Sequence, residues 1–83
     1  MTNYKELLSL ILSGRSDANI RYDELCHLLR RVAFEDRTRG SHRIFAKAGV
    51  DGQINLQPHG GMAKNYQVRQ VRKVLIDYGP FEI

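Results

Sequence analysis

A histidine at the end of a tight turn is the first residue in this sequence that could do chemistry. His42 follows Gly40 and Ser41 in the stretch RTRGSHRIF, which holds three arginines and no acidic side chain. Histidine can take and return a proton near neutral pH, because its reference pKa is about 6.5. Arginine can hold a phosphate through two parallel hydrogen bonds. These residue types together indicate a site that binds a phosphate and moves a proton beside it.

Such a site could cleave RNA without a metal ion. The 2′-hydroxyl of RNA is the nucleophile and already lies beside the phosphorus, so the protein has to remove its proton, stabilise charge on the phosphate and assist the leaving oxygen. We assign His42 as the candidate catalytic residue and His59 as a candidate second proton-transfer group. The alternative for His42 is contact with RNA without catalysis, and for His59 it is an ordinary loop histidine.

Basic residues are concentrated in two segments of the chain. The net charge is +4, and no acidic residue occurs between Arg37 and Val50 or between Gly52 and Ile76. Positive charge concentrated in this way favours a polyanion such as nucleic acid as a partner, and a solvated basic surface is the alternative. The predicted RNA-binding residues are the basic side chains and the turn between them: Arg37, Arg39, Gly40, Ser41, Arg43, Lys47, Arg69, Arg72 and Lys73.

Several other chemistries lack the residues that they need. The three histidines do not stand at i, i+4 spacing, and no CxxC pair, calcium loop or glycine-rich nucleotide motif occurs. We therefore expect no metal site and no cofactor. A serine nucleophile at Ser41 is disfavoured because its neighbour His42 should point to the opposite face of a strand.

The cellular setting can be narrowed from composition. The single cysteine, Cys26, cannot form an internal disulfide, which fits a reducing cytosol. No apolar run approaches the roughly 20 residues that span a bilayer, and the first residues lack the pattern of an export signal. We expect a cytoplasmic protein without a membrane partner.

Hydrophobic periodicity predicts the elements that position these residues. Apolar residues at helical spacing predict helices in NYKELLSLILSG, YDELCHLLRRVAF and YQVRQVRKVLIDYG. Turn signals at Gly40-Ser41 and Asp51-Gly52 separate three short strands between the second and third helix. This order, α-α-β-β-β-α, predicts an α+β fold in which helices cover one face of a three-stranded antiparallel sheet. The predicted apolar stripes are Tyr4, Leu7, Leu8, Ile11 and Leu12; Leu25, Leu28, Leu29 and Val32; and Val68, Val71, Leu75 and Tyr78.

Three stretches of the chain together resemble the HicA toxins of bacterial and archaeal toxin–antitoxin modules. RTRGSHRIF, INLQPHGG and KNYQVRQVRKVL resemble, in order and separation, the family's Gly-Ser-His turn, its Pro-His-Gly-like loop and its basic closing helix. The resemblance runs from about residue 20 to residue 79. It implies the α-β-β-β-α fold of a double-stranded-RNA-binding domain for residues 20–83, and residues 1–19 then form an added N-terminal helix and connector.

The same resemblance implies an activity and a partner. HicA toxins cleave mRNA without a metal and without the ribosome, and their catalytic histidine falls on His42; Arg43 stands where many members carry a second histidine. The implied partner is a HicB-like antitoxin that blocks the toxin directly. Two alternatives remain open. One is a double-stranded-RNA-binding module without catalysis, and the other is an interaction protein in which the apolar face of the first helix docks a partner or a second copy.

Overall fold

Three helices and a three-stranded antiparallel sheet make up the fold, so the predicted α+β architecture and its order α-α-β-β-β-α are confirmed. The computed structural model describes residues 3–83. The elements are α1 (Tyr4–Ser13), a short 3₁₀ turn (Asp17–Asn19), α2 (Tyr22–Arg31), β1 (Glu35–Arg39), β2 (His42–Ala46), β3 (Ile54–Leu56) and α3 (Asn65–Tyr78). From α2 onward this is the α-β-β-β-α order that the resemblance implies. No helix within residues 3–83 has the length and apolar character needed to span a membrane.

The sheet has β2 at its centre, paired with β1 on one side and β3 on the other. Arg39 lies opposite His42, and Arg37 lies opposite Ile44, which in turn lies opposite Asn55 on β3. Side chains alternate between the two faces of a strand. Arg37, Arg39, His42, Ile44 and Asn55 therefore share one side of the sheet, which we call the open face.

The helices pack on the other side of the sheet. Phe45, Ile54 and Leu56 alternate with the open-face residues and are almost completely buried. They belong to one hydrophobic core with the inward residues of all three helices, including Leu7 and Ile11 of α1. The predicted boundary after residue 19 therefore crosses a continuous core, and α1 is packed into the same unit as the rest of the chain.

Two residues predicted on the apolar stripes lie outside the core. Leu12 is 42% exposed at the end of α1, and Tyr78 is 39% exposed at the end of α3. Both stand in the last turn of their helix, beyond the part that the core covers. The hydroxyl of Tyr78 instead accepts a hydrogen bond of 3.3 Å from the backbone N–H of Asp51, so this side chain ties α3 to the loop between β2 and β3.

Candidate active site

A two-residue hairpin turn places His42 at the start of β2. Gly40 has a φ of +62°, and Ser41 is not among the residues with positive φ, which is the pattern of a type II′ turn. A Cβ added to Gly40 would meet no atom within 4 Å, so glycine is required here by the backbone angle and not by crowding. The turn leaves Arg39 and His42 as directly opposed residues, whose Cβ atoms in such pairs are about 4.5–5.5 Å apart.

The ring of His42 is held by a side chain from the neighbouring strand. Its Nδ1 lies 2.8 Å from Oδ1 of Asn55, a short distance for a hydrogen bond between nitrogen and oxygen. Both residues are exposed on the open face. The histidine is therefore oriented by β3 and remains accessible to a ligand from solvent.

A second polar contact braces the same corner of the sheet. Nε2 of Gln57 donates a hydrogen bond of 3.2 Å to Oγ of Ser41. Asn55 and Gln57 were not among the predicted site residues, although the alternation of INLQ already places both on the outward side of their strand. The sequence does not reveal the register of β3 against β2, which places Asn55 and Gln57 beside His42 and Ser41.

Arg37 and Arg39 lie on the open face with His42. Both are exposed, and no acidic side chain within residues 3–83 forms a salt bridge with either. Arg37 flanks Ile44, the apolar residue at the centre of this face, which is only 9% exposed. Two unpaired guanidinium groups and one oriented imidazole thus occupy a single surface, as phosphate binding beside a proton-transfer group requires.

Arg43 is not part of this surface. It lies opposite Leu56 on the helix-covered side of the sheet, and its Nε is 3.7 Å from Oδ2 of Asp36. Asp36 also accepts two hydrogen bonds from Arg30, of 3.0 and 2.9 Å, which hold the pKa of its carboxyl below its usual range. Arg43 and His42 therefore lie on opposite faces of the sheet, because adjacent strand residues alternate, and RNA binding by Arg43 stays a prediction.

The basic residues of α3 separate into one partly buried side chain and two exposed ones. Arg72 donates two hydrogen bonds to the carboxylate of Asp17, of 2.8 and 2.9 Å, and one of 3.1 Å to the carbonyl oxygen of Ile11. These contacts engage both Nη atoms of the guanidinium, and the side chain is 18% exposed. Arg69 and Lys73 are exposed, and Lys73 pairs with Asp77 at 2.9 Å. Because α3 packs on the covered side of the sheet, these two residues lie away from the open face.

Lys47 and His59 also lie outside the cluster around His42. Lys47 follows the far end of β2, roughly 16 Å from His42 at the rise of a strand, and its ammonium group stands over the ring of Phe81. His59 begins a turn through two glycines that is closed by backbone hydrogen bonds with Met62. Its side chain lines a pocket at the start of α3, together with Ala18, Met62, Ala63, Lys64 and Asn65.

No group of three His, Cys, Asp or Glu side chains within the described part of the chain is arranged to hold a metal ion. Cys26 is buried, and this burial raises the pKa of its thiol, which keeps it in the unreactive protonated form.

Comparisons with models of protein families, with curated proteins and with solved structures gave no match to this chain. The candidate site is thus defined by its own geometry: an oriented histidine and two unpaired arginines on an exposed sheet face.

Proposed function

We propose that this protein is a metal-independent RNA endonuclease that uses His42 as its general base and acts as a cytoplasmic toxin of a toxin–antitoxin module. The observation that carries the proposal is the open face itself. His42 is exposed there and oriented by Asn55. It shares the face with Arg37 and Arg39, neither of which forms a salt bridge within residues 3–83. The resemblance of the three sequence stretches to HicA toxins supports the same activity.

The proposed reaction needs one proton acceptor and two phosphate ligands. His42 removes the proton from the 2′-hydroxyl while Arg37 and Arg39 stabilise the charge on the phosphate. The bond from the 2′-oxygen to phosphorus forms as the bond from phosphorus to the 5′-oxygen breaks, which leaves a 2′,3′-cyclic phosphate and a 5′-hydroxyl. The leaving oxygen takes its proton from water in this scheme, because His59 lines a different pocket.

The central experiment compares two histidine variants on purified RNA. His42→Ala should remain folded and lose cleavage by about 10²–10⁴-fold, the usual contribution of acid–base catalysis. His27→Ala removes an exposed histidine from α2 and should cleave like the wild type. Equal rates for the His42 variant and the wild type would rule out this base. A wild type that binds double-stranded RNA and cleaves nothing would support the non-catalytic binding module.

The products and the metal requirement give an independent check. Cleavage should persist in EDTA, and the first products should end in 2′,3′-cyclic phosphates, because the nucleophile comes from the RNA. Loss of activity in EDTA that magnesium restores would contradict the mechanism.

The proposed partner is a HicB-like antitoxin with an acidic surface that covers the open face. Charge complementarity with Arg37 and Arg39 would speed its association and keep RNA away. The alternative in which the apolar side of α1 docks a partner is disfavoured, because Leu7 and Ile11 are already buried in the core of this chain. Only Leu10 and Leu12 remain exposed on that helix among its large apolar residues.

A further inference from the structure

We infer that Asn55 is a positioning residue for His42, which fixes the neutral imidazole with its proton on Nδ1 and its lone pair on Nε2. The contact between Nδ1 and the amide Oδ1 at 2.8 Å carries this inference. Its role in RNA cleavage rests on the proposed function, whereas the tautomer itself is a property of the folded protein.

The chemistry of the two partners determines which nitrogen bears the proton. An amide oxygen accepts hydrogen bonds and cannot donate them. In the neutral ring, one nitrogen carries a proton and the other carries a lone pair, so the ring nitrogen that faces Oδ1 must be the protonated one. Nε2 is then left as the nitrogen that can accept a proton from a ribose hydroxyl.

The strand that carries Asn55 gives the contact a rigid base. Asn55 lies between Ile54 and Leu56, which are 2% and 0% exposed and anchor β3 in the core. His42 is the first residue of β2, and the adjoining turn is braced by the hydrogen bond between Gln57 and Ser41. Both partners therefore stand on paired strands, and little backbone freedom is available to rotate the ring away.

An uncharged partner suits a general base on a basic surface. On the paired strands, Asp36 points to the covered face and is held by Arg30, while Glu35 lies at the opposite end of β1 from Arg39, the residue paired with His42. Within residues 3–83, the side chain that bonds the His42 ring is the amide of Asn55, and no carboxylate forms a salt bridge with this ring. Asn55 therefore orients the ring through a neutral acceptor.

The tautomer can be measured without any activity assay. Long-range correlations between ring protons and ring nitrogens in ¹⁵N-labelled protein separate a protonated nitrogen from an unprotonated one, at a pH above the titration of histidine. For wild-type His42 we expect a protonated Nδ1 and an unprotonated Nε2. Asn55→Ala should shift the population toward the tautomer with a proton on Nε2. Gln70→Ala removes an exposed amide from α3, away from the open face, and should leave the tautomer unchanged. His27 supplies a reference signal in every spectrum.

Kinetics then test whether this orientation matters for cleavage. Asn55→Ala should lower kcat by about 10–100-fold, the usual cost of losing the partner that orients a functional histidine, with little change in KM. Asn55→Asp should restore the orientation but favour the charged ring, so the acid limb of the pH–rate profile should move to higher pH. Gln70→Ala is again the control.

The outcomes separate this inference from the proposed function. A wild-type ring with its proton on Nε2 overturns the assignment of Asn55, whatever the activity. A tautomer that shifts in Asn55→Ala while kcat stays unchanged overturns its role in catalysis and leaves the nuclease standing. Cleavage that survives in His42→Ala overturns the nuclease mechanism, and the positioning role falls with it.

Discussion

Arg72 of α3 and Asp17 of the 3₁₀ turn form a bidentate ion pair that joins the last helix to the segment after α1. The side chain of Arg72 is 18% exposed and that of Asp17 is 17% exposed. The same guanidinium also donates a hydrogen bond to the carbonyl oxygen of Ile11 near the end of α1. A Cβ placed on Gly14 would stand 3.4 Å from Nη1 of Arg72, so the turn after α1 passes close against this side chain. Arg72 therefore stabilises the docking of α1, and its predicted contact with RNA stays a prediction.

The first prediction concerns the pH dependence of this pair. The hydrogen bond from Arg72 is the main reason that the pKa of Asp17 lies below its usual range. A carboxyl whose pKa is lower in the folded protein stabilises the fold at any pH above its unfolded pKa of about 3.9. That stabilisation is lost as the pH falls through the pKa of the folded protein. Asp17→Asn should therefore lower the free energy of unfolding between pH 5 and 8, with a smaller difference from the wild type below about pH 4.

Denaturant titrations across this pH range measure the effect. Asp77→Asn is the matched control, since it breaks the exposed pair with Lys73 on the surface of α3 and should change stability little. A difference between Asp17→Asn and the wild type that stayed constant down to pH 2 would show that the ionised carboxylate contributes nothing.

The second prediction separates the two basic surfaces by salt dependence. Replacing Arg37 and Arg39 with glutamine should reduce the slope of log affinity against log salt by about 1.4, because each lost phosphate contact removes roughly 0.7 for single-stranded RNA. The control pair, Arg69→Gln with Lys73→Gln, lies on the other side of the molecule. It should leave the slope for a short oligonucleotide unchanged and lower it only for a long transcript that reaches around the protein.

Affinities from fluorescence anisotropy over a range of salt concentrations give both slopes. An unaltered slope after loss of Arg37 and Arg39 would mean that the open face is solvated and that RNA binds elsewhere. Arg72 is kept in all variants, because its loss would perturb the packing of α1 and confuse binding with stability.

The elements of the fold could be predicted from sequence because their signals are local. Apolar residues at helical spacing located all three helices, and the alternation of Ile54 and Leu56 with polar neighbours located β3. Local sequence patterns predict only part of the candidate site. Arg37, Arg39 and His42 could be placed on one side of a hairpin by alternation alone, once the two-residue turn at Gly40-Ser41 was recognised.

Long-range partners explain what sequence analysis missed. Asp17 and Arg72 are 55 residues apart, and nothing in the pattern around either one indicates the other. The contact between His42 and Asn55 depends on the register of β2 against β3, which the loop of residues 47–53 sets and no local signal encodes. Arg43 was grouped with its neighbours by charge, whereas alternation along the strand sends it to the covered face beside Asp36.

The third prediction tests the turn that carries His42. Gly40→Ala forces a side chain into a backbone with a φ of +62°, which should cost roughly 1–2 kcal/mol of stability. The strain falls in the turn two residues before His42, so cleavage should drop as well. Gly49→Ala is the matched control, since Gly49 has a φ of +88° and equally open surroundings but lies in the loop after β2.

Thermal unfolding and RNA cleavage are measured for both glycine variants. We expect similar losses of stability and a loss of activity for Gly40→Ala alone. Equal activity in the two variants would show that the geometry of the turn is unimportant for the position of His42.

The fourth prediction concerns the partner that would restrain such a nuclease. Covering the open face is the most direct physical route to inhibition, because Arg37, Arg39 and His42 all lie there. An acidic antitoxin on this face should associate faster at low salt, since the attraction between exposed charges is screened over about 8–10 Å at ordinary ionic strength.

In the purified complex, amide hydrogen exchange should slow across residues 37–47, and RNA should compete with the antitoxin for the protein. Charge-reversed Arg37→Glu with Arg39→Glu should slow association, while Arg69→Glu with Lys73→Glu on the opposite side should not. Protection confined to residues 3–18, with RNA still bound, would instead identify a partner that tethers the protein through α1 and leaves the site open.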